Sequence, residues 1–128
     1  MAVSGTSYLY GLWPPMAAAV RYLLAYCAYY SLEGQIVSGL RSNQEQAALY
    51  AQGRTADEIR RQVSKPLGGL VVTNAVPGRS AHNFGLAIDV EGRDASLILQ
   101  LARAIGFQLV TDDPAHIEWP GWRSLVGL

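Results

Sequence analysis

The spacing of apolar and polar residues changes period several times along the chain, and each change marks an element. Residues 16–30 (MAAAVRYLLAYCAYY) are almost continuously apolar and follow Pro14 and Pro15, which suit the first turn of a helix because its N–H groups lack partners anyway. This predicts a core helix broken by Gly34. Residues 35–40 (QIVSGL) read as a short strand. Ser42 with Glu45, and Thr55 with Glu58, are capping boxes. They predict a helix through Ala47, Ala48, Leu49 and Tyr50 that ends near Gly53, then a second over residues 56–63. Residues 65–69 (KPLGG) read as loop and residues 70–73 as a short strand. Beyond Gly85 the period becomes two: Leu86, Ile88 and Val90 alternate with Ala87 and Asp89. Asp94 is placed to cap a helix over residues 95–105, which Gly106 stops. A strand over 107–110, a turn forced by Pro114 and an extended segment over 116–119 complete the pattern. The expected fold class is α+β, a small and mostly antiparallel sheet with two to four helices around it.

Composition narrows the picture. The chain has 128 residues, half of them apolar, enough for one core and a single domain over residues 1–128. Ten basic and ten acidic residues balance, so the field that draws proteins to nucleic acid is missing, and no nucleic-acid partner is expected. The apolar run 16–30 is too short to span a bilayer and carries Arg21, so no stable membrane association is expected either. Residues 1–15 hold no Lys or Arg, so no signal peptide is expected. Cys27 reads as a small buried thiol within the first helix, and a monomer is expected.

The candidate chemistry lies in SAHNFGLAIDV, residues 80–90. Strand parity turns Asp89 away from the core, with Ala87 leaving room beside it. His82 precedes a turn whose Gly85 has the backbone freedom to return the imidazole over the strand. The same parity puts His116 and Glu118 on one face, and Ile117 and Trp119 on the other. These are the chain's two histidines. Two imidazoles and a carboxylate form a ligand set that zinc uses when a fourth position is kept for water, whose pKa falls to about 7. A hydrolytic site needs a general base beside it; Asp113 is closely tethered to His116, with Asp112 and Glu118 as rivals. A histidine beside an aspartate is, by itself, more often a satisfied polar pair than a ligand. Read alone, Arg41 is a solvated strand end and Ser80 a turn residue. Tyr29, Tyr30 and Tyr50 read as core residues with exposed hydroxyls. Trp119 and Trp122 read as core or rim packing that can also line a cleft.

Three segments in register resemble a family. Residues 80–89 fill every fixed position of the SxHxxGxAxD signature of the zinc peptidases that include D-alanyl-D-alanine carboxypeptidases and dipeptidases and the L-alanyl-D-glutamate endopeptidases of phage endolysins. Residues 36–55 (IVSGLRSNQEQAALYAQGRT) and 72–90 (VTNAVPGRSAHNFGLAIDV) are similar to the endolysin-type members, and residues 113–119 (DPAHIEW) resemble the closing DxxHxE(W) element.

By position, the resemblance implies that His82, Asp89 and His116 hold one zinc ion and that Asp113 is the general base and acid. It implies that Arg41 faces the substrate carbonyl and its developing charge, and that Ser80 hydrogen-bonds substrate. Glu118 is then an orienting partner of His116. Many endolysin-type members carry an insertion before the closing element, but here only residues 107–112 separate Gly106 from Asp113, so that cleft wall should be short. The implied substrate is the peptidoglycan stem peptide, cut between L-alanine and D-glutamate. D-alanyl-D-alanine carboxypeptidase or dipeptidase activity is the alternative within the family, and a non-catalytic zinc-stabilised murein-binding module the alternative outside enzymes. The expected setting is a phage-type endolysin held in the host cytoplasm until a separate membrane-permeabilising partner releases it to the wall.

Overall fold

A computed structural model describes residues 2–64 and 70–128. Five strands form one sheet: β1 (Val3–Ser4), β2 (Gly34–Ser38), β3 (Ala87–Glu91), β4 (Gln108–Val110) and β5 (Asp113–Glu118), in the order β1-β2-β3-β5-β4. Only β1 and β2 are parallel; the other neighbours run antiparallel, as the α+β expectation required. Helices α1 (Pro14–Tyr29) and α4 (Ala95–Ile105) pack together and against the sheet. The stripe Met16, Ala17, Val20, Leu23 and Cys27 of α1 and the stripe Ile98, Leu99 and Ala102 of α4 meet Ile36, Ile88, Val90 and Ile117 in the core. This spacing of three to four residues is that of one buried helix face. Burial pushes the Cys27 thiol pKa up, as expected of an inert core cysteine.

Helices α2 (Asn43–Ala51) and α3 (Ala56–Arg60) start where the two capping boxes place them, and both boxes are formed reciprocally. Their ends were harder to read. α3 stops three residues before Val63 because Gln62 takes a left-handed conformation (φ 56°). Val63 N then donates to Glu58 O and Gln62 N to Ile59 O, a Schellman closure without glycine. α1 closes in the same way: Ser31 (φ 55°) is the left-handed residue, and Leu32 N donates to Cys27 O. Gly34 is therefore not the breaker. It opens β2, where a Cβ would come within 2.9 Å of Ile98 Cδ1 and 3.0 Å of Glu91 O.

Other expectations are corrected. Residues 70–73 form no strand: Leu70 is 89% exposed and the segment turns instead, with Ala75 N donating to Thr73 Oγ1. The loop expected at 65–69 lies outside the described residues. Pro114 lies inside β5 rather than at a turn. The turn is Thr111–Asp112, and the β4–β5 register breaks between Leu109 and Val110, so Pro114 falls where no ladder partner needs its N–H. Asp94 occupies the N-cap of α4 without capping it; its carboxylate accepts from Glu33 N at 2.7 Å and from Arg93. Tyr29 and Tyr30, past the last buried position of α1, are 81% and 58% exposed. Tyr50 is buried, and its hydroxyl donates to Val63 O rather than meeting solvent. A short helix absent from the sequence reading, α5 (Trp122–Val126), follows β5 and makes a fifth α-helical segment among the described residues.

Candidate metal centre

The sheet face away from α1 and α4 carries the site. In β3 and β5, Ile88 faces Ile117 in the core, while Asp89 pairs with His116 and Ala87 with Glu118 on the opposite face. His82 arrives from a 3-10 turn, Ala81–Phe84, capped at both ends. Ser80 Oγ accepts from His82 N, Asn83 Oδ1 accepts from Ser80 N, and Gly85 closes the turn at φ 69°. A Cβ on Gly85 would lie 2.8 Å from Trp13 N, so this turn and the start of α1 can approach only through glycine.

The three ligand atoms of His82, Asp89 and His116 all lie within 4.8 Å of one another. His82 Nε2 is 3.3 Å from Asp89 Oδ2, and His116 Nδ1 is 3.4 Å from Asp89 Oδ1. Each imidazole is oriented by its other nitrogen. Gly39 O accepts from His82 Nδ1 at 2.9 Å, which turns Nε2 inward; Glu118 Oε1 accepts from His116 Nε2 at 2.7 Å, which turns Nδ1 inward. Glu118 is buried and held in turn by Gln108 Nε2 at 3.0 Å. Such outer partners fix ring orientation and tautomer in metal sites.

Asp89 Oδ1 is buried and makes no hydrogen bond, an acceptor left open at the centre of two imidazoles. Unpartnered buried carboxylate oxygens are costly, and a divalent cation would satisfy this one; the nitrogen–nitrogen–oxygen set fits zinc. Burial by itself would raise the Asp89 pKa, but His116 and His82 outweigh it and hold the carboxyl well below the usual range. Burial likewise opposes the charge on His116, yet Asp89 and Glu118 push its pKa up to about 9.

Arg41 stands beside the triad. Its Nη2 lies 3.5 Å from Asp89 Oδ2 and donates to Ser38 Oγ at 3.0 Å, while Nη1 donates to Gln46 Oε1 at 2.9 Å. Gln46 is fully buried, and its amide nitrogen donates to Ala75 O and Thr73 Oγ1. The loop of Arg41 is zipped to the His82 turn: Arg41 N donates to His82 O, and Asn83 Nδ2 donates to Arg41 O. Ser38 reaches the site through an irregularity in β2, where register shifts between Ile36 and Ser38 and brings Ser38 opposite Asp89. Ser38 and Gln46 carried no signal in the sequence reading. Their roles depend on the bulge and on the angle at which α2 leaves the sheet.

Asp113 is half exposed, with Oδ2 3.9 Å from His116 Nδ1. Asp112 lines the same cleft, whereas both oxygens of Glu118 are occupied. The cleft measures about 470 Å³ and is walled by Arg41, residues 71–75, Ser80, the triad, Asp112, Asp113 and Trp122. Trp122 is buried and tilts against Phe84, while Trp119 packs edge-on against Trp13.

Comparison with known proteins relates the chain to peptidoglycan peptidases. CwlK of Bacillus subtilis (strain 168), named a peptidoglycan L-alanyl-D-glutamate endopeptidase, is 40% identical over 78 residues; the match covers 59% of this chain and only 40% of CwlK. Among solved structures, VanYB in complex with D-alanine-D-alanine superposes with a TM-score of 0.55 at 18% identity, covering 88% of this chain and 73% of that one. A variant of the vancomycin-resistance D,D-pentapeptidase VanY in complex with Zn(II) gives 0.56 at 18% identity, covering 91% and 76%. These two likenesses are of fold. A family model, VanY: D-alanyl-D-alanine carboxypeptidase, matches residues 11–119, a span that contains the triad, Arg41 and Asp113; the chain belongs to this family.

Proposed function

We propose that the protein is a zinc peptidase of the peptidoglycan stem peptide that cuts the L-alanyl–D-glutamyl bond. The observation that carries this is the convergence of His82, Asp89 and His116 around an open carboxylate oxygen, with Arg41 on one side and Asp113 on the other. Zinc, when bound by these three residues, supplies Lewis acidity that polarises a peptide carbonyl and acidifies water.

The chain's own residues do the rest. Asp113, half exposed at the cleft, takes a proton from the attacking water and returns it to the leaving amine nitrogen. The Arg41 guanidinium, held by Gln46 and Ser38, faces the oxyanion that develops on the carbonyl, and such fixed donors are worth about 3–4 kcal/mol of transition-state stabilisation. The Ser80 hydroxyl, already accepting from His82 N, retains its proton for a substrate acceptor. Glu118 keeps His116 aligned rather than acting as base, because both of its oxygens are engaged.

The choice of bond rests on CwlK and on the resemblance of residues 36–55 and 72–90 to endolysin-type members. An endolysin-like, wall-lysing role belongs to the same reading. The family model favours the alternative, removal of a terminal D-alanine. Mass spectrometry of digested murein separates them: a new amino terminus at glutamate supports the endopeptidase, and release of free D-alanine replaces it with the carboxypeptidase. Absence of both products, with zinc bound, would leave a binding module.

A further inference from the structure

We propose that Arg79 and Arg123 form an anion-recognition subsite on the metal cleft that takes a free carboxylate of the peptide substrate. The inference rests on the peptidase reading and adds to it the side of the cleft on which the substrate's charge must lie.

Most of the arginines have protein partners. Arg60 and Arg61 pair with Asp57, Arg93 with Glu33 and Asp94, Arg54 with backbone carbonyls, and Arg41 with Gln46, Ser38 and Asp89. Arg79 and Arg123 line the cleft and are exposed, and neither meets a carboxylate among the described residues. They reach the same wall from different elements. Arg79 immediately precedes Ser80 and the turn Ala81–Phe84; α5 packs on that turn, with the Phe84 and Trp122 rings 6.0 Å apart. The Arg123 guanidinium lies 4.7 Å from the Trp122 ring centroid, a cation–π contact that limits its freedom. Trp122 itself is buried, so the ring that Arg123 covers is fixed in place.

An exposed acid lies at the other end. Asp113 stands at the start of β5 and Trp122 beyond its end, and six residues of strand span roughly 17–20 Å, while Glu118 at the near end is buried and engaged by His116 and Gln108. The cleft is therefore polarised along β5, with Asp89 and His116 between the two ends. A peptide bearing a free carboxylate to one side of the scissile bond is accepted in one direction: carboxylate towards Arg79 and Arg123, away from Asp113. In a stem peptide that group is either the α-carboxylate of a γ-linked D-glutamyl residue or the carboxylate at the peptide's end.

The test is calorimetric titration of the zinc-loaded full chain with γ-D-glutamyl peptides that lack the L-alanyl bond. One peptide keeps only the glutamyl α-carboxylate, one only the terminal carboxylate, and one has both amidated. The expected result is that the wild-type protein binds one mono-acid about five- to tenfold more tightly than the diamide, the scale of a pair of charge-assisted contacts at a solvent-exposed rim. Arg79→Gln/Arg123→Gln, with an unchanged melting temperature, loses that preference while its affinity for the diamide stays the same. The mono-acid that shows the effect identifies the source of the carboxylate. Equal or undetectable binding of all three peptides by the wild type, or an undiminished preference in the double variant, overturns the proposal. Cleavage is scored separately with intact stem peptide: a wild-type protein that cleaves nothing sinks the peptidase reading, while the titration still decides the subsite. If both stand, the double variant raises KM for the free acid and leaves kcat unchanged.

Discussion

Gln46 Oε1 accepts a hydrogen bond from Arg41 Nη1 at 2.9 Å, and the same amide donates to Ala75 O at 2.7 Å, so one buried side chain ties the guanidinium to the far wall of the cleft. Replacing it by leucine keeps the volume and removes these bonds together with the one to Thr73 Oγ1. We expect Gln46→Leu to bind one zinc per chain yet to lose about 10–100-fold in kcat, because Arg41 is no longer held against the oxyanion position. Zinc stoichiometry measured beside murein cleavage checks this. Unchanged kcat would show that Ser38 alone positions Arg41.

Glu118 acts one bond further from the cation. In Glu118→Gln the contact to His116 Nε2 loses its charge, and zinc affinity should fall about 10–100-fold. Competition against a chromophoric chelator measures it, and a wild-type affinity would rule out the orienting role.

Protons compete with zinc at His116. Its pKa in the metal-free protein is raised to about 9, so at neutral pH the ring is charged and Nδ1 must lose its proton to bind a cation. Zinc affinity should therefore rise by about tenfold per pH unit from pH 7 until His116 titrates near 9. Titrations in buffers of different ionisation enthalpy should report close to one released proton at pH 7.5; a heat independent of buffer would contradict it. For the metal-free fold the sign is opposite. The charged His116 between Asp89 and Glu118 stabilises the native state fully below the unfolded pKa of about 6.5, and that contribution is lost as pH rises through 9.

Arg54 is buried and has no acidic partner among the described residues. It donates to Tyr50 O, Val63 O and Ser64 O and lies 3.9 Å from the Tyr50 ring centroid. Arg54→Ala takes a donor from each of these carbonyls, leaving Val63 O only the Tyr50 hydroxyl, and should cost about 2–4 kcal/mol in chemical denaturation. Arg54→Lys should recover less than half, since an ammonium cannot reproduce the planar fork. Full recovery by lysine would mean that charge, rather than geometry, is what matters there.

The period-two signal in residues 86–90 made the Asp89 face legible, and the same parity placed His116 opposite it, because a strand buried on one side leaves few arrangements. Both capping boxes were equally readable, since their bonds are local. The misread features depend on tertiary context. Gln62 and Ser31 end helices in left-handed conformations that their side chains do not announce. Pro114 enters a strand because a register break spares its N–H. Residues 70–73 look like a strand but join no sheet among the described residues. Ser38 and Gln46 could not be found from spacing, since one depends on a bulge and the other on packing between α2 and the loop over residues 73–75.

The one-sided sheet also divides the chain's tolerance to change. Along β3 and β5, Ile88, Val90 and Ile117 secure the core and alternate with Asp89, His116 and Glu118, which build the candidate metal centre. A laboratory or natural lineage can therefore retune the cleft from the segments that wall it, such as residues 71–75, while both faces of these strands stay committed. Deleting a single residue between Gly85 and Asp89 does the reverse, exchanging the two sets at once. Evolution of this cleft is left to the loops around it and closed to changes of length within the strand.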